Sequence, residues 1–386
     1  MKIGIPKEIL SGENRVSATP ETVRKYVADG MQVLVERGAG LGSHFLDEDY
    51  VSAGAKIIDD VEELYAQVDL ILKVKEPMFN QTKNKHEIEM MKEGQYIITF
   101  LHPASPPNHS MIKLLAKQKV TGLTLDGIPR ISRAQHMDAL TSMSTCAGYK
   151  GIIMAADSLS KFIPQLFTAV GMIKPANVLI IGTGVAGLQA IATAKRLGAV
   201  VYAADIRPDA VEQAKSLGSK IIDTNIPADK AIGEGGYAKS LSEELLNQER
   251  VALLEAVKEA DIIFLSALVP GKVAPILITE DMVKQMKQGS VIVDVSIDQG
   301  GNCELTVPGE IVTRHGVIIN GIKNLPGHIP NTSTTMFANN VYNLVKYLTK
   351  DGKINLDLND EIVKGILVTY NGQIVHEGTL EAMNGK

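Results

Sequence analysis

The sequence has few cysteines and no block of basic residues. Cys146 and Cys303 are the only two cysteines among 386 residues, and they lie far apart, without the spacing of metal ligands. Two reduced thiols in a cytosolic protein explain this pattern, and we expect no metal site. The net charge is −5, without the clustered lysines and arginines that contact phosphate backbones. A nucleic-acid partner is therefore not expected.

Long apolar segments are also missing. No uninterrupted apolar run approaches the roughly 18 residues that a transmembrane helix needs. The N-terminal Met-Lys-Ile-Gly-Ile-Pro is typical of a short strand and lacks the apolar core of a signal peptide. We expect a chain that is soluble by itself, which leaves docking onto a membrane partner open. Its length suggests two domains.

The most informative segment that is present contains three glycines. An apolar run at 178–181 stops at Gly182, Gly184 and Gly187 follow, and an alanine-rich stretch leads to a second apolar run that ends at Asp205. This order of strand, glycine turn, helix, strand and acid is typical of a dinucleotide-binding fold. Gly182 permits the tight turn, and Gly184 lets the backbone approach a pyrophosphate. Gly187 lets the helix pack on the strand, with its first amides free to hold phosphates.

The acid after the second strand indicates the choice of cofactor. Asp205 would accept both ribose hydroxyls of NAD and repel the additional phosphate of NADP. Arg207 lies two residues further on, and an arginine there can accept a 2′-phosphate, so the residues alone leave NADP open. Val185, Ala186 and Ile206 complete the cofactor contacts expected from this segment.

Apolar runs alternate with helical patterns on both sides of the glycine loop. Helices are predicted at 20–29, with Thr19 as N-cap and Pro20 in the first turn, and at 110–118. Longer helices are predicted at 137–162 and 332–348 and are expected to cross between domains. The stretch 229–239 fits a surface loop better than a cofactor lid. Strands are predicted at 2–6, 32–36, 70–75, 96–101, 120–125, 220–223, 261–267, 291–296 and 317–320.

This alternation predicts the fold class and the domain organisation. We expect an α/β protein with two Rossmann-like domains, each with a parallel sheet, separated by a cleft and joined by long helices. The NAD(H)-binding domain is expected at 137–331. The N-terminal domain is expected to be discontinuous, formed by 1–136 and 332–386.

Residues 129–138, Pro-Arg-Ile-Ser-Arg-Ala-Gln-His-Met-Asp, are more specific than the glycine loop. This segment resembles the NAD(H)-binding component of proton-translocating nicotinamide nucleotide transhydrogenase. Residues 235–239 look like the mobile loop of that family. Further similar segments are 187–198, 267–272, 300–304 and 357–376, so the resemblance covers nearly the whole chain.

The resemblance implies roles for particular residues. Gln135 and Asp138 would hold the carboxamide and the ribose of the nicotinamide half, and Arg130 would bridge towards the ring and the partner cofactor. Hydride passes directly between two nicotinamides, so positioning supplies much of the rate and no general acid or base is needed. Without the resemblance, Arg130 and Arg133 would be interpreted as a solvated basic turn. Further cofactor contacts implied by it are His136, Met137, Thr141, Gly236, Tyr237 and Leu268.

A second set of residues resembles alanine dehydrogenase, a relative with the same two-domain plan. In that family the counterparts of Arg15 and Lys75 bind pyruvate, the counterpart of His102 moves a proton, and the counterpart of Asp298 orients the amine chemistry. Transhydrogenases do not usually carry both Lys75 and His102. Common ancestry explains the set as a vestigial 2-oxo acid site. A solvated strand end for Lys75 and a loop position for His102 are the structural alternatives.

The resemblance to transhydrogenase has more weight, because 129–138 and 235–239 are not expected in alanine dehydrogenase. It implies a peripheral NAD(H) subunit that forms a homodimer and passes hydride between NADH and NADP⁺, with NADP(H) held by a partner component. Membrane subunits would conduct the protons. The chain would be cytoplasmic on the inner face of the membrane, without a transmembrane segment of its own. Arg207 would then flank the adenosine ribose. An NAD-dependent alanine dehydrogenase and a non-catalytic NAD(H) sensor are the alternatives.

Overall fold

A computed structural model describes residues 1–233, 238–269 and 272–384. The chain divides into two compact units. Unit 1 consists of Met1–Met143 and Gly327–Lys386, and unit 2 consists of Ser144–Pro326. Unit 1 is therefore built from both ends of the chain, and the glycine-loop segment lies within unit 2. The boundaries expected from the sequence, 136/137 and 331/332, remain predictions.

Unit 1 contains an eight-stranded sheet that is mostly parallel. All five strands predicted in this region of the chain are present, and they end at or before the predicted residue. The C-terminal strands, which the sequence analysis did not predict, pair antiparallel at one edge. In spatial order the strands are Gln373–Ile374, Leu367–Tyr370, Thr121–Thr124, Tyr96–Thr99, Leu70–Leu72, Lys2–Ile5, Gln32–Glu36 and Lys56–Ile58.

Helices cover the sheet of unit 1 and bury its apolar side chains. The first helix begins as predicted, because the Thr19 Oγ1 accepts from the Thr22 amide at 3.2 Å and Pro20 occupies the first turn. Leu64 and Ile112, from two of the helices, are fully buried against the strands. The α-helices are Pro20–Ala28, Asp47–Ser52, Val61–Gln67, His109–Lys117, Pro330–Leu348, Glu361–Ile366 and Glu377–Met383. Two small hairpins join Phe79–Asn80 to Lys85–His86 and Thr349–Lys350 to Lys353–Ile354.

Unit 2 contains a seven-stranded sheet in Rossmann order. Six strands are parallel and the last pairs antiparallel. In spatial order they are Lys220–Ile221, Val200–Ala204, Asn177–Ile181, Ile262–Leu265, Val291–Asp294, Val317–Asn320 and Ile311–Arg314. Chain order reverses between the third and fourth of these strands. In such sheets ligands bind at this switch point, outside the carboxyl ends of the strands.

The helices of unit 2 lie on both faces of this sheet, as two separate apolar clusters show. The long helix Ala139–Ser158 continues across the boundary at 143/144, and the chain returns to unit 1 through the short helix Leu325–His328. The second long helix, Pro330–Leu348, does not cross between domains as expected but lies wholly within unit 1. None of the described helices is long and apolar enough to cross a membrane. The other α-helices are Val185–Arg196, Pro208–Ser216, Ala228–Ala231, Glu243–Glu259 and Glu280–Val283. A hairpin, not predicted from the sequence, joins Leu166–Thr168 to Gly171–Ile173.

Candidate nucleotide-binding site

The glycine loop connects the strand Asn177–Ile181 to the helix Val185–Arg196, as the sequence predicts. Gly182 has a φ of +87°, in the region that favours glycine, and a Cβ there would lie 2.7 Å from the Ala267 amide nitrogen. A Cβ at Gly187 would lie 2.0 Å from the carbonyl oxygen of Gly182. Both glycines are therefore required by close backbone packing.

Gly184 has a different environment, because there is space for a Cβ atom at this position. Among the described residues such a Cβ would meet only the Arg207 Nη2, at 3.9 Å. Gly184 is also the N-cap of the following helix and supplies no side-chain acceptor to it. The amides of Val185 and Ala186 thus lie at a helix N-terminus without a side-chain cap, where a phosphate is the favoured partner.

Asp205 follows the second strand and fixes the glycine loop. Its Oδ2 accepts from the Thr183 amide at 2.7 Å and from the Thr183 Oγ1 at 3.3 Å. Its Oδ1 accepts from the Arg207 amide at 2.8 Å. The residue is only 8% exposed, so its carboxylate is buried and these hydrogen bonds hold it in a fixed orientation. Thr183 was not singled out from the sequence, since its role depends on this tertiary contact.

Arg207 lies directly on this carboxylate. Its Nε donates to Asp205 Oδ1 at 3.0 Å and its Nη2 donates to Oδ2 at 2.9 Å. These hydrogen bonds raise the pKa of Arg207, although burial acts in the opposite direction. The positive charge of Arg207 is therefore balanced by Asp205 and is not a free receptor for a 2′-phosphate.

The next loop at the switch point, after the strand Ile262–Leu265, is held by a buried asparagine. Ser266 donates its hydroxyl to the Gly182 carbonyl at 2.8 Å. Asn302 accepts from the Ala267 amide at 2.9 Å and donates to the Ala267 carbonyl at 2.9 Å. Leu268, which follows, is exposed. Asn302 lies in the segment 300–304 that resembles the family, but its role follows only from the structure.

Asp294 supports this asparagine from the end of its own strand. Its Oδ2 accepts from the amides of Asn302 and Cys303 at 2.8 and 3.0 Å and from the Thr306 hydroxyl at 3.0 Å. Burial raises the pKa of Asp294, while these hydrogen bonds favour its charged form. Neither cysteine of the chain forms a disulfide, and both are buried. Burial raises the pKa of Cys303 to about 11.

The segment 129–138 belongs to unit 1 and is anchored by Arg133. Its Nη1 donates to the Tyr347 hydroxyl at 2.6 Å and to Asp360 Oδ2 at 2.8 Å, and its Nη2 donates to Glu361 Oε1 at 3.0 Å. Burial by itself raises the pKa of Asp360, but the hydrogen bonds from Arg133, Tyr347 and the amides of Ile362 and Val363 together lower it to about 2. Arg133 is thus exposed to solvent and at the same time anchors the segment through these contacts, which the sequence alone did not reveal.

The remainder of the segment forms the short helix Ser132–Met137. Its His136 carbonyl accepts from the side-chain amides of Asn340 and Asn343 at 2.9 and 3.3 Å. Arg130, Gln135 and His136 are exposed. The backbone of the segment is therefore fixed from the helix Pro330–Leu348, while three polar side chains remain at the surface.

Asp138 and Thr141 contact one another at the start of the long helix. The Thr141 amide donates to Asp138 Oδ1 at 2.8 Å, and the Thr141 hydroxyl donates to Oδ2 at 2.6 Å. Asp138 therefore caps the helix Ala139–Ser158 in addition to any role with a cofactor. Met137, in contrast, is buried. Gly236 and Tyr237 lie outside the described residues.

The set that resembles alanine dehydrogenase is divided between the two units, because Asp298 lies in unit 2 and the other three lie in unit 1. Arg15 is 3% exposed and forms two hydrogen bonds with Glu13, Nε to Oε1 at 2.7 Å and Nη2 to Oε2 at 2.6 Å. Burial would raise the pKa of Glu13, but these bonds lower it. The charge of Arg15 is therefore already balanced.

His102 forms a pair with Asp126, a residue that the sequence analysis did not select. The His102 Nδ1 lies 2.7 Å from Asp126 Oδ1, and its ring stacks on Phe100 with the centroids 5.7 Å apart. Its φ of +44° is rare for a residue with a side chain. Burial lowers the pKa of His102, but Asp126 raises it by more, and the positive charge of Lys75 opposes this rise. The described residues contain no cluster of His, Cys, Asp and Glu suited to a metal ion.

Comparisons with known proteins agree with this arrangement. The profiles described as alanine dehydrogenase/PNT, N-terminal and C-terminal domains, match residues 4–147 and 151–377. The chain is 44% identical over 379 residues to an NAD(P) transhydrogenase alpha-subunit polypeptide of Rhodospirillum rubrum, covering 97% of this chain and 98% of that protein. It matches the structure of a transhydrogenase from Sinorhizobium meliloti with a TM-score of 0.85 and 36% identity, covering 97% and 100% of the two chains. It is 34% identical over 394 residues to the alanine dehydrogenase of Staphylococcus saprophyticus, covering 100% and 97%.

Proposed function

The chain belongs to the alanine dehydrogenase/PNT family, and from this membership we propose that it is the NAD(H)-binding alpha subunit of a proton-translocating NAD(P) transhydrogenase. It is 44% identical to the transhydrogenase subunit over 379 residues and 34% identical to alanine dehydrogenase over 394 residues. The resemblance of residues 129–138, found from the sequence, favours the same assignment.

The observation that carries the proposal is the position of Asp205 beside an uncapped helix N-terminus. Asp205 is held by Thr183 at the end of the second Rossmann strand, where the adenosine ribose of NAD is bound in this fold. The amides of Val185, Ala186 and Gly187 would hold the pyrophosphate, which Gly184 lets approach. Arg207 and Ile206 would flank the ribose. The Arg207 guanidinium would share or release Asp205 Oδ1 when the ribose hydroxyls bind.

The nicotinamide half is assigned to the anchored segment of unit 1. Gln135 and Asp138 would hold the carboxamide and ribose, and Arg130 would reach towards the ring and the second cofactor. The bound nicotinamides supply the hydride chemistry themselves, so the residues need only orient the rings and exclude alternative geometries. The hydrogen bonds of Arg133 and the His136 carbonyl suit this task, because they fix the backbone that carries these side chains. The remaining assigned contacts are Met137, Thr141, Gly236, Tyr237 and Leu268.

The partners follow from this role. NADP(H) would be bound by a separate transhydrogenase component, and membrane subunits would conduct the protons. The chain would lie in the cytoplasm on the inner face of the membrane, held by these subunits.

We also infer a homodimer, and an exposed apolar hairpin supports it. Phe167 and Val170 are 79% and 93% exposed in the hairpin Leu166–Thr168/Gly171–Ile173, and Phe162 and Met172 are exposed beside them. An isolated two-stranded hairpin is only marginally stable in water. A second copy of the same hairpin offers the self-complementary cover that a two-fold dimer requires.

Two assays of the pure chain test the function. We expect NADH-dependent reduction of an NADP analogue only after the NADP(H)-binding component is added. Steady NADH oxidation with pyruvate and ammonia, at a rate typical of a dehydrogenase, would overturn the proposal in favour of alanine dehydrogenase.

Alanine dehydrogenase is the second candidate because of one observation. His102 and Asp126 form a pair in which the carboxylate orients and charges the imidazole, as a proton-transfer step requires. Against it, Arg15 is paired with Glu13 inside unit 1 and is not free for the carboxylate of a 2-oxo acid. We therefore assign Arg15, Lys75, His102 and Asp298 to a vestigial site.

A further inference from the structure

A second carboxylate lies buried near Asp205. Glu249 is 4% exposed on the helix Glu243–Glu259. It begins a stripe with Leu253 and Val257, at i, i+4 and i+8, which are fully buried. The side of the helix that carries Glu249 therefore faces the sheet rather than solvent.

The direction of the helix places Glu249 at the carboxyl end of the strands. Leu253 and Val257 belong to one apolar cluster with Ile181 and Ala204, which are the last residues of their strands. The helix leads into the strand Ile262–Leu265, which is parallel to Asn177–Ile181, so it runs from the carboxyl to the amino edge of the sheet. Glu249, one turn before Leu253, is thus nearer the edge where Asp205 follows Ala204.

The charges around Glu249 leave it without a matched cation. Its neighbour Arg250 donates to Glu243 Oε1 at 2.6 Å and to the Ile276 carbonyl at 2.7 Å. Arg207 is paired with Asp205. Within residues 1–233, 238–269 and 272–384, no ion pair involves Glu249. Burial and then the negative charge of Asp205 raise the pKa of Glu249 to about 7, and Arg250 opposes this only partially.

We propose that Glu249 is a specificity-determining residue that acts through Asp205, adding a second negative charge behind the ribose-binding acid and so rejecting nucleotides with a 2′-phosphate. The inference rests on the proposed function, since it assumes that Asp205 binds the adenosine ribose. A 2′-phosphate carries up to two negative charges, whereas the ribose hydroxyls of NAD(H) are neutral donors. The ionised Glu249 therefore disfavours NADP(H) selectively.

This arrangement makes cofactor selectivity depend on pH. When Glu249 is ionised, above neutral pH, discrimination against NADPH is greatest. When Glu249 is protonated, this additional negative charge is absent, and discrimination falls. By linkage, binding of NADPH favours the protonated form of Glu249. Near neutral pH the protein therefore takes up more protons when it binds NADPH than when it binds NADH.

The experiment uses the full chain and its Glu249→Gln variant. The dissociation constants of NADH and NADPH are measured by titration calorimetry at about pH 6 and about pH 8.5. At the higher pH we expect the ratio of the NADPH to the NADH constant to be about threefold to tenfold larger in the wild type than in the variant, since one unit of pKa coupling equals a tenfold change. At the lower pH the two ratios should differ by less than about twofold.

A second readout separates this role from a structural one. Calorimetry in two buffers of different ionisation enthalpy gives the protons taken up on binding at about pH 7.5. The additional uptake with NADPH should be smaller in Glu249→Gln, while the titration of the 2′-phosphate itself is common to both proteins. Glu244→Gln, on an exposed position of the same helix, is the control and should behave as the wild type.

The outcomes distinguish the two proposals. Normal NADH binding with equal selectivity and equal proton uptake in wild type and Glu249→Gln would overturn the role of Glu249. Failure of the wild type to bind NADH would instead overturn the proposed function. If Glu249→Gln does not fold, Glu249→Met preserves the volume without the charge, and the same ratios are expected from it.

Discussion

The guanidinium of Arg207 and the carboxylate of Asp205 form a two-point ion pair at the end of the second strand of unit 2. From the sequence, these two residues favour opposite cofactors, since the acid selects NAD and an arginine nearby can accept the phosphate of NADP. In the structure they neutralise each other. The choice between cofactors therefore depends on the charge that remains around them, including that of Glu249.

The first prediction concerns Asp205. Asp205→Ala removes the acceptor of the ribose hydroxyls and releases Arg207, so we expect NADH affinity to fall about tenfold to a hundredfold, as for loss of a hydrogen bond to a charged group. NADPH affinity should fall less or rise. Titration of the pure chain with both nucleotides measures this. Glu212→Ala, an exposed acid in the next helix, should change neither affinity. Equal losses for the two nucleotides would contradict the assignment.

The second prediction separates two glycines of the same loop. Gly184→Ala should leave the fold intact, with a change in unfolding free energy below about 1 kcal/mol, because a Cβ there meets only Arg207. It should weaken NADH binding, because the methyl group occupies the approach of the pyrophosphate. Thermal unfolding and nucleotide titration of the variant measure the two effects.

Gly187→Ala is the matched comparison for this loop. Its Cβ overlaps the Gly182 carbonyl, so we expect a loss of about 1 to 3 kcal/mol in unfolding free energy, the usual cost of overpacking. Equal stability of the two variants would contradict the observed packing of the loop.

The third prediction concerns the anchor of the segment 129–138. Arg133→Ala removes the contacts with Tyr347, Asp360 and Glu361, so the segment should lose its fixed position. We expect hydride transfer with the partner component to slow by about tenfold, since small misplacements of reacting groups cost this much or more. The dissociation constant of NADH should change by less than about threefold.

Arg133→Lys provides the control for charge. It keeps the positive charge but not the planar fork that contacts two carboxylates. We therefore expect only partial recovery of the rate. Full recovery would indicate that the charge, rather than the anchored geometry, matters.

The fourth prediction tests the hairpin as a dimer interface. Val170→Asp places a charge at the most exposed apolar position of the hairpin and should dissociate the dimer, which sedimentation velocity would detect as a lower mass. Val251→Asp is the matched control, since Val251 is 74% exposed on a helix of the same unit. An unchanged mass for Val170→Asp would show that the hairpin does not form the dimer interface.

Several features of the fold were predictable because they depend on neighbouring residues. The cap at Thr19 and Pro20, the tight turn at Gly182 and the alternation of strands and helices are all local properties, and the structure confirms them. The strand Leu367–Tyr370 was missed, because it is defined by pairing with Thr121–Thr124 from a distant region of the chain.

The same distinction applies to the candidate site. The glycines and the acid at its centre follow a fixed spacing and were found from the sequence. The residues that hold this site in place have no such fixed spacing, and the sequence analysis did not find them. Thr183 and Asn302 act through contacts with residues far away in the sequence, as Asp126 does beside His102. In the sequence, Glu249 is one more charge on an amphipathic helix.

The last prediction is a pH dependence of stability that Glu249 imposes. Its pKa is raised by burial and by Asp205 from an ordinary 4.5 to about 7. Between these two pH values, Glu249 is therefore still protonated in the folded state but already ionised in the unfolded state. The stability that this proton provides is complete below about pH 4.5 and is lost as the pH rises through 7. The shift corresponds to roughly 3 kcal/mol.

Urea unfolding of the wild type and of Glu249→Gln, followed across this range of pH, measures the effect. We expect the unfolding free energy of the variant to lack this decrease with pH. The difference between the variant and the wild type should therefore shift in favour of the variant as the pH rises. Glu244→Gln should follow the wild-type curve, because the Glu244 side chain is exposed to solvent. Parallel curves for the wild type and Glu249→Gln would show that Glu249 has the same pKa in the folded and unfolded states. It would then also be unable to couple cofactor selectivity to pH.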